Sequence, residues 1–155
     1  MSRISAAITA TGAYVPEFVL TNSMLEKMVD TSNEWILTRT GIKERRILKD
    51  EGKGSSFLAI NAAKDLITKN SIDPKTIDLV IVATATPDMK AASTASFTAT
   101  QIGAINAFSF DMDSACSGFL FGMSTAASFI ESGRYSRVLL IGADKMSSIV
   151  NYKDR

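Results

Sequence analysis

Cys116 is the only cysteine in a chain of 155 residues that contains no histidine, and these two counts narrow the chemistry open to it. It lies in the run Asp113-Ser114-Ala115-Cys116-Ser117-Gly118, between a strand-like and a helix-like segment. A strand-turn-helix junction presents such a side chain at a sheet edge. A helix N-terminus favours negative charge, so a thiol placed there should ionise readily and act as a nucleophile. A lone thiol is also commonly a small buried apolar group, and position alone leaves both readings standing. Without imidazole, no Ser-His-Asp triad, Cys-His pair or histidine metal site can be assembled from these residues. One cysteine excludes an internal disulfide and a cysteine metal cluster, so nothing here requires an oxidising compartment, and a cytoplasmic location is expected.

Trp35 and Arg39 stand at i and i+4 of a helical segment, so they share a face and can set a flat aromatic surface beside a cation. Such a pair suits a nucleotide, with adenine on the indole and guanidinium on phosphate, although the residue type alone favours core packing for Trp35. Ser117 lacks the preceding Gly of a G-x-S-x-G hydrolase elbow. Gly52-Lys53-Gly54-Ser55 lacks the spacing of a phosphate-binding P-loop and is assigned no role. Asp111 and Asp113, two apart on a strand, could act as a pair, but solvated edge or interface carboxylates are the expected account.

These residues need elements to hold them. Ile4 to Tyr14, rich in small and β-branched residues and followed by Pro16, reads as a first strand. Ser23 to Glu26 and Thr31 to Glu34 have Ser/Thr three residues before Glu, the capping-box spacing of two short helices, the second closed by Gly41. Charged Ile42 to Gly54 reads as a surface loop, and Ser55 to Asn70 as an amphipathic helix. Ile77 to Ala83 is a near-continuous apolar run, as in a strand buried on both faces. Ser93 to Ile102 reads as a helix, Phe108 to Asp113 as a half-covered strand of period two, Ala115 to Glu131 as a long helix and Arg137 to Gly142 as a buried strand.

Gly118, Gly122 and Ala126 give the long helix a small-residue face, expected to press against a neighbouring layer. Strands separated by helices imply a layered α/β fold. The polar stretch Lys145 to Arg155 brings no closing strand, the ending expected of a cut chain.

Composition bounds the partners. Seventeen Lys and Arg against sixteen Asp and Glu leave a net charge of +1, too little field for a nucleic-acid backbone. The apolar runs are far shorter than the roughly 20 residues of a bilayer helix, so no membrane span is expected. With 46% hydrophobic residues the chain can bury a core as one soluble domain.

One family resemblance joins these residues. Thr21-Asn22, the run Leu25 to Ile36 and Arg39-Thr40-Gly41-Ile42 resemble the β-ketoacyl-acyl-carrier-protein synthase III family, the initiating condensing enzymes of bacterial fatty-acid synthesis. The likeness continues through Val82-Ala83-Thr84, Ser93-Thr94, Ala115-Cys116-Ser117-Gly118-Phe119 and Tyr152-Lys153-Asp154-Arg155, over essentially the whole chain.

The resemblance implies the N-terminal half of a thiolase-like fold, residues 1–155, with a mixed sheet flanked by helices and a buried nucleophile helix. It implies that Cys116 accepts an acyl group from acyl-CoA for condensation with malonyl-acyl-carrier-protein, with no metal and no cofactor beyond the coenzyme A thioester. It assigns Trp35 and Arg155 to an adenine sandwich and Thr31 and Arg39 to polar contacts with coenzyme A. The decarboxylating His and Asn belong to a missing C-terminal half, so the fragment alone should not turn over. A homodimer joined through Phe108 to Asp113 is expected. Ala91-Ala92 stand where many members carry an aromatic residue and Pro, a difference that touches the acyl pocket. The reading of a different class is a non-catalytic fragment that binds coenzyme A or another protein.

Overall fold

Leu79, Val80, Ile81 and Val82 are wholly shielded from solvent, and much of the architecture follows from covering this one strand on both faces. Burying each such side chain contributes about 1.5–3 kcal/mol. The computed structural model describes residues 4–154. In chain order these form β1 (Phe18–Thr21), α1 (Asn22–Leu25), α2 (Asn33–Thr40), β2 (Glu44–Ile47), α3 (Ser55–Lys69), β3 (Leu79–Ala83), α4 (Thr94–Ile102), β4 (Phe108–Met112), α5 (Gly118–Glu131) and β5 (Val138–Gly142). The chain divides into two compact units. One contains Lys53–Asp144 and the segment ending at Tyr14; the other contains Val15–Gly52 and the chain after Asp144.

In the first unit, β3 lies between β4 and β5, all parallel, with Leu79 opposite both Phe108 and Val138. Alternation along the strands sorts the side chains. Val80, Val82, Leu139 and Ile141 join Ala59 and Ala63 of α3 and Ala95, Ala99 and Ile102 of α4 in one core. The other face meets α5, where a β-carbon added to Gly122 would stand 2.5 Å from Leu140 Cδ1, and one on Gly118 would stand 3.3 Å from Ala83 Cβ. The small-residue face thus lets α5 lie close on the sheet. Only Gly118 and Gly122 of α5 are buried, and Phe119, Leu120, Phe121 and Met123 are exposed. The expected buried nucleophile helix is therefore covered along one face.

In the second unit, β1 and β2 form an antiparallel ribbon pairing Phe18 with Ile47 and Thr21 with Glu44. The antiparallel pairing of the fold is thus found in this ribbon, and the three-stranded sheet is parallel. Leu20, Ile36 and Leu48 are its buried apolar side chains.

Several expectations from sequence shift. Ile4 to Tyr14 is not assigned as a strand; it is fastened by the Ala13 N–H donating to Asp65 Oδ2 at 3.0 Å and by Gly12, where a β-carbon would stand 2.5 Å from Leu66 Cβ. A strand needs a ladder partner, and these ties are to a helix. The supposed loop Ile42 to Gly54 contains β2, whose alternate residues Arg45 and Ile47 are the less exposed ones; its charge conceals a period of two. The capping-box registers also move. Thr21 caps α1, and Ser32, not Thr31, caps α2 by accepting from the Trp35 N–H at 3.1 Å. Glu26 instead reaches across to accept from the Asn33 N–H at 2.6 Å.

Candidate active site

The turn that bears Cys116 lies at a place the topology prepares. β3 leads into α4 on one face of the sheet, and the neighbouring β4 leads into α5 on the other. Where adjacent parallel strands send their connections to opposite faces, their carboxyl ends part and leave a crevice that ligands can enter. The turn carrying Cys116 follows β4 directly.

Its backbone is tight. Ser114 has φ −152° and ψ 28°, and Ala115 takes φ +43°, a left-handed conformation that costs a non-glycine residue about 1–3 kcal/mol. A short 3-10 segment, Ala115–Ser117, then bears Cys116, and the Ser117 N–H donates to Ser114 O at 3.0 Å. α5 therefore starts at Gly118, three residues later than the sequence suggests, because Ala115 turns the chain against the helical sense. Cys116 is exposed, which sets aside the reading of a buried structural thiol.

The loops around this crevice are held by two carboxylates, of which the sequence singled out Asp111 but not Asp144. Asp144 Oδ1, beyond β5, accepts from Thr84 Oγ1 at 2.9 Å, the Ala85 N–H at 2.8 Å, the Thr86 N–H at 3.1 Å and Thr86 Oγ1 at 3.0 Å. The Thr84 N–H donates to Met112 O at 3.1 Å, which ties the end of β3 to the end of β4. Asp111 is a cap: its carboxylate accepts from the Thr94 and Ala95 N–H groups, each at 2.7 Å, and from Ser93 Oγ at 3.1 Å. It thus serves α4 and is not half of a carboxylate pair with exposed Asp113.

Gly54, in the stretch given no role, is the N-cap position of α3. The Asp88 carboxylate there accepts from the Ser56 N–H at 3.2 and 3.3 Å.

The second unit presents the other candidate residues. Trp35 and Arg39 lie together on α2, with Arg39 Cζ 4.8 Å from the indole centroid. Trp35 is 37% exposed and so is not a core side chain. Thr31 is half-buried one residue before the Ser32 cap. Gly41, at φ +70°, ends α2 and is the position where a left-handed residue is required. Arg155 lies outside the described residues. Among the described residues no group of three His, Cys, Asp or Glu could hold a metal ion, and no helix is long and apolar enough to cross a membrane.

Comparison with known proteins adds to this geometry. Residues 110–155 match the family described as 3-Oxoacyl-[acyl-carrier-protein (ACP)] synthase III. The whole chain is 57% identical to Beta-ketoacyl-[acyl-carrier-protein] synthase III 2 of Bacteroides thetaiotaomicron, covering 46% of that protein. The crystal structure of 3-oxoacyl-[acyl-carrier-protein] synthase III from Aquifex aeolicus is similar with a TM-score of 0.89 and 46% identity, over 99% of this chain and 48% of that one. The synthase III of Thermus thermophilus gives a TM-score of 0.92 at 41% identity, over 97% of this chain and 46% of that one. The chain spans about half the length of the curated relatives it matches. In sequence and in fold the chain is similar to these β-ketoacyl-[acyl-carrier-protein] synthase III proteins over about half their length.

Proposed function

We propose that this chain carries the acyl-accepting half of a condensing enzyme that initiates fatty-acid synthesis. The observation that carries the reading is Cys116, exposed on the turn after β4 at the carboxyl end of a parallel sheet. Its sulfur adds to the thioester carbonyl of a short acyl-CoA, and collapse of the tetrahedral intermediate expels the coenzyme A thiolate, leaving an acyl-cysteine. A sulfur anion is a good nucleophile and a good leaving group, so the same atom serves both acyl transfers. Loss of carbon dioxide from malonyl-acyl-carrier-protein then supplies the carbanion that attacks the acyl carbonyl, forms the carbon–carbon bond and releases Cys116. The Cys116 N–H supplies one oxyanion donor in this scheme.

Thr31, Trp35, Arg39 and Arg155 hold the coenzyme A portion. No metal or further cofactor takes part. The chain has no histidine, so decarboxylation falls to groups beyond these residues, and the working protein is a cytoplasmic homodimer. Incubation with acetyl-CoA tests the acyl step: release of one coenzyme A per chain with acetyl on Cys116 supports it, and reversible binding without acylation favours a binding module.

A further inference from the structure

Asn22 is 2% exposed, yet every hydrogen-bonding atom of its side chain has work. It is the first residue of α1, directly beyond the last pair of the β1–β2 ribbon, and its backbone N–H donates to Lys43 O at 3.4 Å. Its Nδ2 donates to Asn33 Oδ1 and to Ile42 O, both at 2.9 Å. Its Oδ1 accepts from Arg45 Nη1 at 2.5 Å. The partners fix the amide's orientation, because a guanidinium only donates and a carbonyl oxygen only accepts.

Asn33 opens α2, and Ile42 follows the Gly41 that closes it. A single buried amide therefore ties both ends of the helix on which Trp35 and Arg39 lie. We infer that Asn22 is a positioning residue for the coenzyme site, fixing α2 against the ribbon so that the Trp35–Arg39 pair is held before a ligand arrives. The inference rests on the reading of α2 as that site.

Charged or shorter replacements do not fit these demands. An aspartate would bring a carboxylate against the Ile42 carbonyl with no proton between them, and alanine or serine would reach neither end of α2. Preorganisation of this kind lowers the ordering cost of binding and leaves the chemical step alone.

The test uses Asn22→Asp and, because a buried change can prevent folding, Asn33→Ala at an exposed position. Trp35 is the only tryptophan, so its emission and acrylamide quenching report α2 directly. Coenzyme A titration should show affinity weakened roughly tenfold in Asn22→Asp and a few-fold in Asn33→Ala, the fold-changes of losing one or two such bonds. Trp35 emission should shift in both, while Cys116 acetylation at saturating acetyl-CoA stays within about twofold of the unsubstituted rate.

Variants that remain folded by circular dichroism, bind coenzyme A as tightly as the parent and leave Trp35 emission unmoved would overturn the inference; Asn33→Ala decides alone if Asn22→Asp does not fold. If the parent itself binds no coenzyme A, the functional reading has failed. Positioning is then judged by Trp35 alone: a shift in Asn33→Ala upholds the tie, and an unmoved spectrum removes it.

Discussion

Trp35 and Arg39 owe their pairing to helical spacing, and their consequence for binding is separable from stability. Trp35 is more than a third exposed, so Trp35→Ala should leave the melting temperature nearly unchanged. Stacking of a base on an aromatic ring is worth about 1–3 kcal/mol, and coenzyme A affinity should fall roughly tenfold or more. Arg39→Met, which removes the guanidinium from beside the indole, should also weaken binding. Calorimetric titration beside thermal melts checks both; lost stability with unchanged affinity would return Trp35 to a packing role. Asp111 offers a matched contrast with its neighbour. Asp111→Ala strips α4 of its carboxylate partner and should destabilise by about 1–2 kcal/mol, whereas exposed Asp113→Ala should stay within about 0.5 kcal/mol. Urea unfolding of the two variants separates a helix cap from a surface charge.

At the scale of elements, the segment ending at Tyr14 is held to α3 through Asp65. The hydrogen bond from Lys69, first, and that from the Ala13 N–H, second, hold the Asp65 carboxyl below its ordinary range. A carboxyl with a lowered folded value contributes stability that is present above the unfolded value and lost as pH falls through the folded one. The ion pair is partly exposed, so its effect is local. The Ala13 amide resonance should titrate in acid below the ordinary aspartate range, and Asp65→Asn should abolish that titration; an amide that stays put through acid would contradict the tie.

Much of this scale was legible in the residues. The apolar run of β3, the amphipathic period of α3, and Gly103 closing α4 at φ +84° each carry a local signal. Helical spacing likewise put Trp35 and Arg39 together on α2, and the order of strand and helix put Cys116 between β4 and α5. What escaped depends on partners distant in sequence. Asn22 meets Asn33 and Arg45, Asp111 meets Thr94, and Asp144 meets Thr84 sixty residues away. No short-range pattern encodes such contacts. The β2 strand escaped for another reason, since its charged residues hide a ribbon whose outer positions face water.

At the scale of the whole molecule, one group of exposed apolar side chains falls together in the chain. Phe119, Leu120, Phe121 and Met123 occupy α5, and Phe108, 60% exposed, opens β4 at one edge of the sheet. An unpaired strand edge is a template for another strand. If pairing of β4 with its copy joins two protomers, light scattering at micromolar concentration should give a dimer; a monodisperse monomer would contradict it. The central claim is that Cys116 accepts an acyl group and that these residues alone go no further. Intact-mass measurement of the 155-residue chain after incubation with acetyl-CoA and malonyl-acyl-carrier-protein tests it most directly. One acetyl group per chain on Cys116, none on Cys116→Ser, and no β-ketoacyl product are expected; an unacylated Cys116, or repeated formation of β-ketoacyl product by the mass-verified chain, would contradict this role.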